Sequence, residues 1–186
     1  MDNNIHENNK GLSLIEIIIV IAIMTVIGGV TLLTTSIATD KHVSSCAEKI
    51  SSSLESTRSI VLGKQSGYVK IWKEPDDYIY CQMYIDGEKY GGEDGVCIGH
   101  AGLTVNIYYC NEYLNNDSLS DSSKVVGTSA ITSTAHSISF SRSNGSITSS
   151  LPADTAYIVY QVSNGRRVVN VIVDKFTGRV STEKVG

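Results

Sequence analysis

Residues 17–39, IIIVIAIMTVIGGVTLLTTSIAT, contain no charged side chain. As a helix, such a run rises roughly 35 Å at about 1.5 Å per residue, enough to cross a hydrocarbon core. The sequence therefore predicts a membrane span, and whatever the chain folds into must hang from it. One carboxylate, Glu16, stands at the entrance of the run. A charge within such a segment costs up to about 2.5–3.5 kcal/mol at the bilayer centre and less near its edge, so Glu16 is expected to have a function and a partner.

At 186 residues, the chain has room for one membrane element and one ordinary soluble domain. Ahead of the run stands MDNNIHENNKG, polar and without an apolar core of its own. An ordinary secretory signal has the reverse order, with its apolar stretch upstream of the cut. Lys10 is the only basic side chain flanking the run on this side, and it favours an N-terminus left in the cytoplasm, with the remainder outside.

The stretch Lys10-Gly11-Leu12-Ser13-Leu14-Ile15-Glu16 resembles the class III leader and cleavage site of type IV prepilins and of type II secretion pseudopilins. In that family a membrane-embedded aspartyl peptidase cuts after the glycine, usually N-methylates the new first residue, and leaves glutamate as the fifth. The resemblance implies cleavage between Gly11 and Leu12, methylation at Leu12 and an assembly role for Glu16. Leu12 departs from the usual Phe or Met. Cleavage would place an α-ammonium among lipid or other subunits. Glu16 can neutralise it one helical turn away, or meet the ammonium of a staggered neighbour, where low dielectric makes pairing selective. The partners implied are prepilin peptidase, other pilins or pseudopilins, an inner-membrane assembly platform, and membrane lipid before assembly.

Beyond the run, Val43, Cys46, Ala47, Ile50, Leu54, Thr57 and Val61 recur at spacings of three and four, which predicts an amphipathic continuation stopped near Gly63. From Ser66 the period becomes two. Strands are expected at 67–73, 78–85, 96–98, 103–109, 131–141, 157–162 and 168–173, with loops at 90–95 and 111–127. Asn144-Gly145 and Asn164-Gly165 signal hairpins, since both central residues of a type I′ turn need positive φ. The expected plan is α+β: a leader at 1–11, a transmembrane and assembly helix at 12–37, its amphipathic continuation at 38–63, and a head at 64–186 built on an antiparallel sheet.

The run Ile50-Ser-Ser-Ser-Leu-Glu-Ser-Thr-Arg58-Ser-Ile60, the strand after it and the ending Thr177-Gly178-Arg179-Val180 are similar to the GspH/FimT minor pilins and pseudopilins. Some members used in DNA uptake carry Gly-Arg-x-Arg, which contacts DNA. Here Gly178-Arg179-Val180-Ser181 keeps only the first arginine, so the implied DNA contact rests on Arg179 with Arg166, Arg167 and Lys175 as helpers. A formal charge of −4, with seven acidic residues between 74 and 94, gives no general basic surface. Adhesion by the head to another surface, or a plain membrane anchor carrying a sensor domain, are the remaining alternatives.

Cys46, Cys81, Cys97 and Cys110 fall on the extracytoplasmic side, where disulfides persist. Three pairings exist, and bonded and free thiols can mix. Cys81, Cys97, His100 and Cys110 also have the residue types of a Cys3His zinc set. A Gly-x-Ser-x-Gly elbow, a Walker loop and His-Glu-x-x-His are absent, so the expected chain is a structural subunit, not an enzyme, and needs no cofactor. Ten tyrosines fit core and interface use.

Overall fold

The computed structural model describes residues 14–63, 65–92, 95–113, 119, 121 and 123–185, with backbone alone for the helical stretch 28–39. The chain divides into two compact units, Met1–Ala38 and Thr39–Gly186.

One helix, α1 (Leu14–Leu62), begins in the first unit and ends in the second. In the first unit its apolar side chains point outward all round: Leu14, Ile15, residues 17–21, Ile23, Met24, Val26 and Ile27 are each between 46% and 76% exposed. Thr25 Oγ1 donates to the carbonyl of Ala22 at 2.8 Å, satisfying the hydroxyl within the helix. Among the described residues no helix is long and apolar enough to cross a membrane; the described side chains of the uncharged run end at Ile27.

In the second unit α1 has a single buried face. Val43, Cys46, Ala47, Ile50, Leu54 and Val61 are fully buried, following the predicted three-and-four spacing. Thr57 is buried with them, its hydroxyl bonded to the Ser53 carbonyl at 2.8 Å. The helix stops where expected, with the Gly63 N–H bonded back to the carbonyls of Ser59 and Ile60.

The strands are β1 (Gly67–Lys73), β2 (Ile79–Ile85), β3 (Glu88–Tyr90), β4 (Val96–Gly99), β5 (Thr104–Cys110), β6 (Val125–Ala130), β7 (His136–Ser139), β8 (Tyr157–Ser163), β9 (Val168–Asp174) and β10 (Val180–Val185). They form two five-stranded antiparallel sheets rather than one. The first has the order β3-β2-β1-β7 with β4 also beside β2; the second is β10-β9-β8-β5-β6. Val69, Ile71 and Ile79 from the first, and Ile107, Tyr160, Val162, Val169 and Val171 from the second, join the α1 face in one core. A main-chain bond from Ile147 N–H to the Lys175 carbonyl, 2.8 Å, ties the segment after β7 to the end of β9.

Three strands were not expected from the sequence, and each has exposed positions that weaken the alternating signal. β6 falls partly in the predicted 111–127 loop, and β3 and β10 are edge strands carrying Glu88, Lys89, Glu183 and Lys184. The stretch expected as one strand at 131–141 is a strand only over β7. The two Asn-Gly pairs do turn the chain, but in another conformation. Gly145 and Gly165 have φ of 72° and 84°, whereas among the described non-glycine residues only Asp77, Asp86 and Asp154 have positive φ. Asn164 instead spends its side-chain oxygen on the N–H groups of Arg166 and Arg167. The two-residue hairpin with both φ positive is Asp86-Gly87, at 51° and 88°, joining β2 to β3.

Candidate functional site

Glu16 lies in the first turn of α1, an exposed carboxylate among exposed apolar side chains. A negative side chain there is favoured by the helix dipole by about 0.3–1 kcal/mol. The cleavage site Gly11-Leu12, and Lys10 before it, lie outside the described residues.

The four cysteines are free thiols. Burial pushes the Cys46 thiol up to about 12 and those of Cys81 and Cys110 to about 11. Cys46 and Cys81 belong to the main core, while Cys110 packs with Val159 and Ile172 in a separate cluster on the second sheet. Cys97 is half-buried, its Sγ 3.6 Å from the Gly99 carbonyl. The fold thus parts Cys110 from Cys81, and the Cys3His zinc set is not assembled. Among the described residues no cluster of three or more His, Cys, Asp or Glu is placed to hold a metal. His100 instead sets its ring against that of His42, with centroids 4.3 Å apart and planes tilted by 59°.

The four basic residues considered for DNA fall into two pairs. Arg166 and Arg167 are in the β8–β9 turn; Lys175 and Arg179 are in the β9–β10 turn. The seven residues of β9 separate the pairs by roughly 20 Å at about 3.3 Å per residue. They do not make one basic patch. Arg179 is exposed and lines an open cleft of about 230 Å³ beside Asp174, Tyr113 and Tyr157.

Arg58 has a role the spacing did not reveal. Its Nε donates to the Thr177 carbonyl at 2.8 Å, and its side chain fills the space beside Gly145 and Gly178. A Cβ on Gly145 would come within 2.9 Å of Arg58 Nε, and one on Gly178 would strike the Gly145 carbonyl oxygen. The helix end and the Thr177-Gly178-Arg179 turn therefore meet at one contact. His136 is a satisfied side chain between the sheets. Its Nε2 lies 3.1 Å from the Tyr109 hydroxyl and its Nδ1 3.2 Å from that of Tyr160, linking β7 of the first sheet to β5 and β8 of the second. Burial lowers this imidazole to about 4. No sequence pattern could have found it, because the partners are brought together only by sheet packing.

Residues 7–32 match a family model described as the prokaryotic N-terminal methylation motif. That motif makes the N-terminal segment a type IV pilin-like prepilin leader, which implies processing by prepilin peptidase, membrane anchoring before assembly and association with other pilins. The match ends within the uncharged run and does not reach the head. No curated protein and no solved structure matches the chain.

Proposed function

We propose that this chain is a prepilin-like structural subunit, a minor pilin or pseudopilin of the GspH/FimT kind, that joins a type IV pilus or type II secretion pseudopilus after its leader is removed. The observation that carries this is the helix beginning at Leu14: apolar and exposed on every side, with a carboxylate in its first turn, directly behind a methylation-motif leader. A helix apolar all round is stable only in lipid or among other apolar helices. Both fit one life history. The chain sits N-in and C-out in the cytoplasmic membrane, spanning it with residues 17–39, and is then drawn into a fibre at the cell surface or in the periplasm.

Cleavage between Gly11 and Leu12 releases residues 1–11 and leaves an α-ammonium, N-methylated or not, at Leu12. Neither this cation nor the Glu16 carboxylate is comfortable alone at low dielectric. Pairing between staggered neighbours removes both penalties at one axial register and leaves them at others. The work of the site is therefore selection of register. Separation of Arg166 and Arg167 from Lys175 and Arg179 weighs against DNA uptake as the head's task.

A Glu16→Ala variant tests the assembly role. It should be processed normally and yet be depleted from sheared fibres relative to the membrane fraction. Incorporation equal to that of the unaltered protein would remove Glu16 from the account.

A further inference from the structure

His42 and His100 come from different elements of the head. His42 is half-buried on α1, directly before the fully buried Val43. His100 opens the turn between β4 and β5, where the Leu103 N–H reaches the His100 carbonyl at 3.3 Å and Gly102 takes a φ of 85°. The Gly102 N–H donates to Asp77 Oδ2 at 2.9 Å, which holds that turn to the β1–β2 connection. Both backbones are therefore fixed, and the two imidazoles are left with centroids 4.3 Å apart and planes tilted by 59°. With Asn164 and Arg166 of the β8–β9 turn they line a cavity of about 190 Å³.

This pair differs from His136, whose two ring nitrogens both face tyrosine hydroxyls. Among the described residues no ring nitrogen of His42 or His100 has a hydrogen-bond partner, and Tyr78 meets His100 only edge to face, at 5.8 Å between centroids. Apolar side chains would fill the same space with no polar groups to satisfy. Two neutral imidazoles instead bring two nitrogen lone pairs to one cavity. Imidazole is the commonest metal ligand of proteins. At a metal–nitrogen distance of about 2.0–2.1 Å, two imidazoles bound side by side to one ion have centroids roughly 4.5–5 Å apart. The separation between His42 and His100 needs only side-chain rotation to reach that range.

An anion is the other ligand such a cavity could take, on the strength of Arg166, which is exposed. Against it stands Asp40. Its Oδ1 accepts from the Asn164 amide at 3.2 Å, which occupies that donor and brings a carboxylate to the residue lining the cavity. A second carboxylate, Asp77, supports the His100 turn, although Lys73 pairs with it at 2.6 Å. Lone pairs with a carboxylate nearby suit a cation.

We propose that His42 and His100 form a two-imidazole site for a divalent late first-row transition ion, such as Ni(II), Cu(II) or Zn(II), with water completing its coordination. An ion held there ties α1 to the β4–β5 turn and stabilises the folded head by binding it in preference to the unfolded chain. The site uses none of the four cysteines, and it stands whether or not Glu16 directs assembly.

Ni(II) is the probe, because it suits imidazole and, unlike Cu(II), does not oxidise thiols. The full chain, without an affinity tag and in detergent, is titrated with nickel chloride, with magnesium chloride as comparison. The expected result is a saturable rise in the thermal midpoint with Ni(II) and none with Mg(II). That rise should be lost in His42→Gln and in His100→Gln and kept in Cys97→Ser, which removes the half-buried thiol. Where a histidine variant does not fold, diethyl pyrocarbonate labelling of the unaltered protein, read by peptide mass, decides the matter: Ni(II) should shield His42 and His100 together. No saturable response to Ni(II), an equal rise in the folded histidine variants, loss of the response in folded Cys97→Ser, or labelling of both histidines undiminished by Ni(II) would overturn the proposal.

Discussion

Arg58 Nε and the carbonyl oxygen of Thr177 lie 2.8 Å apart, joining the helix to the β9–β10 turn across 119 positions of sequence. The bond is possible because glycines stand on both sides of the arginine side chain. Gly178 has φ of 64° and Gly145 of 72°, and neither position has room for a methyl group. Gly178→Ala should therefore cost about 2–3 kcal/mol in urea unfolding of the detergent-solubilised chain. Gly165→Ala, at a similar φ of 84° but facing open space, should cost only about 1 kcal/mol. Equal losses at the two sites would mean that the close approach to Arg58 contributes nothing.

His136 makes stability depend on acid. Its folded value, about 4, lies below the ordinary 6.5, so the unfolded chain binds the extra proton first. The resulting stabilisation is fully present above about pH 6.5 and is lost as pH falls through about 4. Over that window the loss should reach about 3 kcal/mol. Tyr109 and Tyr160, the groups on the two imidazole nitrogens, stay neutral throughout, because burial raises both. Unfolding curves at pH 7 and pH 4 should differ by that amount in the unaltered protein and by clearly less in His136→Phe.

The thiols offer a separate check. Four unbonded cysteines predict an intact mass that does not change on reduction. Cys97, the one described as half-buried, should be alkylated first in the folded protein, and Cys46, Cys81 and Cys110 only on unfolding. A mass increase on reduction would show that oxidation pairs cysteines the structure holds as free thiols.

Legibility in the sequence followed the strength of local patterning. The face of α1 through Ile50 and Leu54, its stop at Gly63, and most strands were readable because burial there is one-sided and periodic. The leader was readable because it forms one contiguous motif. The division into two sheets was not, since strand order depends on pairings such as Tyr68 with Ser139 and Tyr109 with Ile158 that join distant segments. β10 hid behind Glu183 and Lys184, charges suited to an exposed edge. Asp86-Gly87 took the type I′ turn expected at the Asn-Gly pairs because its strands leave only two residues between Ile85 and Glu88. The His42–His100 pair had no local signal, since the turn that presents His100 meets the helix only in the folded head.

The central claim is that proteolysis exposes a new N-terminus for the Glu16 carboxylate of a neighbour. Intact mass of the protein isolated from its native cells tests it most directly. The account predicts a chain beginning at Leu12, lacking residues 1–11, with or without one added methyl group. A chain that still begins at Met1 would contradict it.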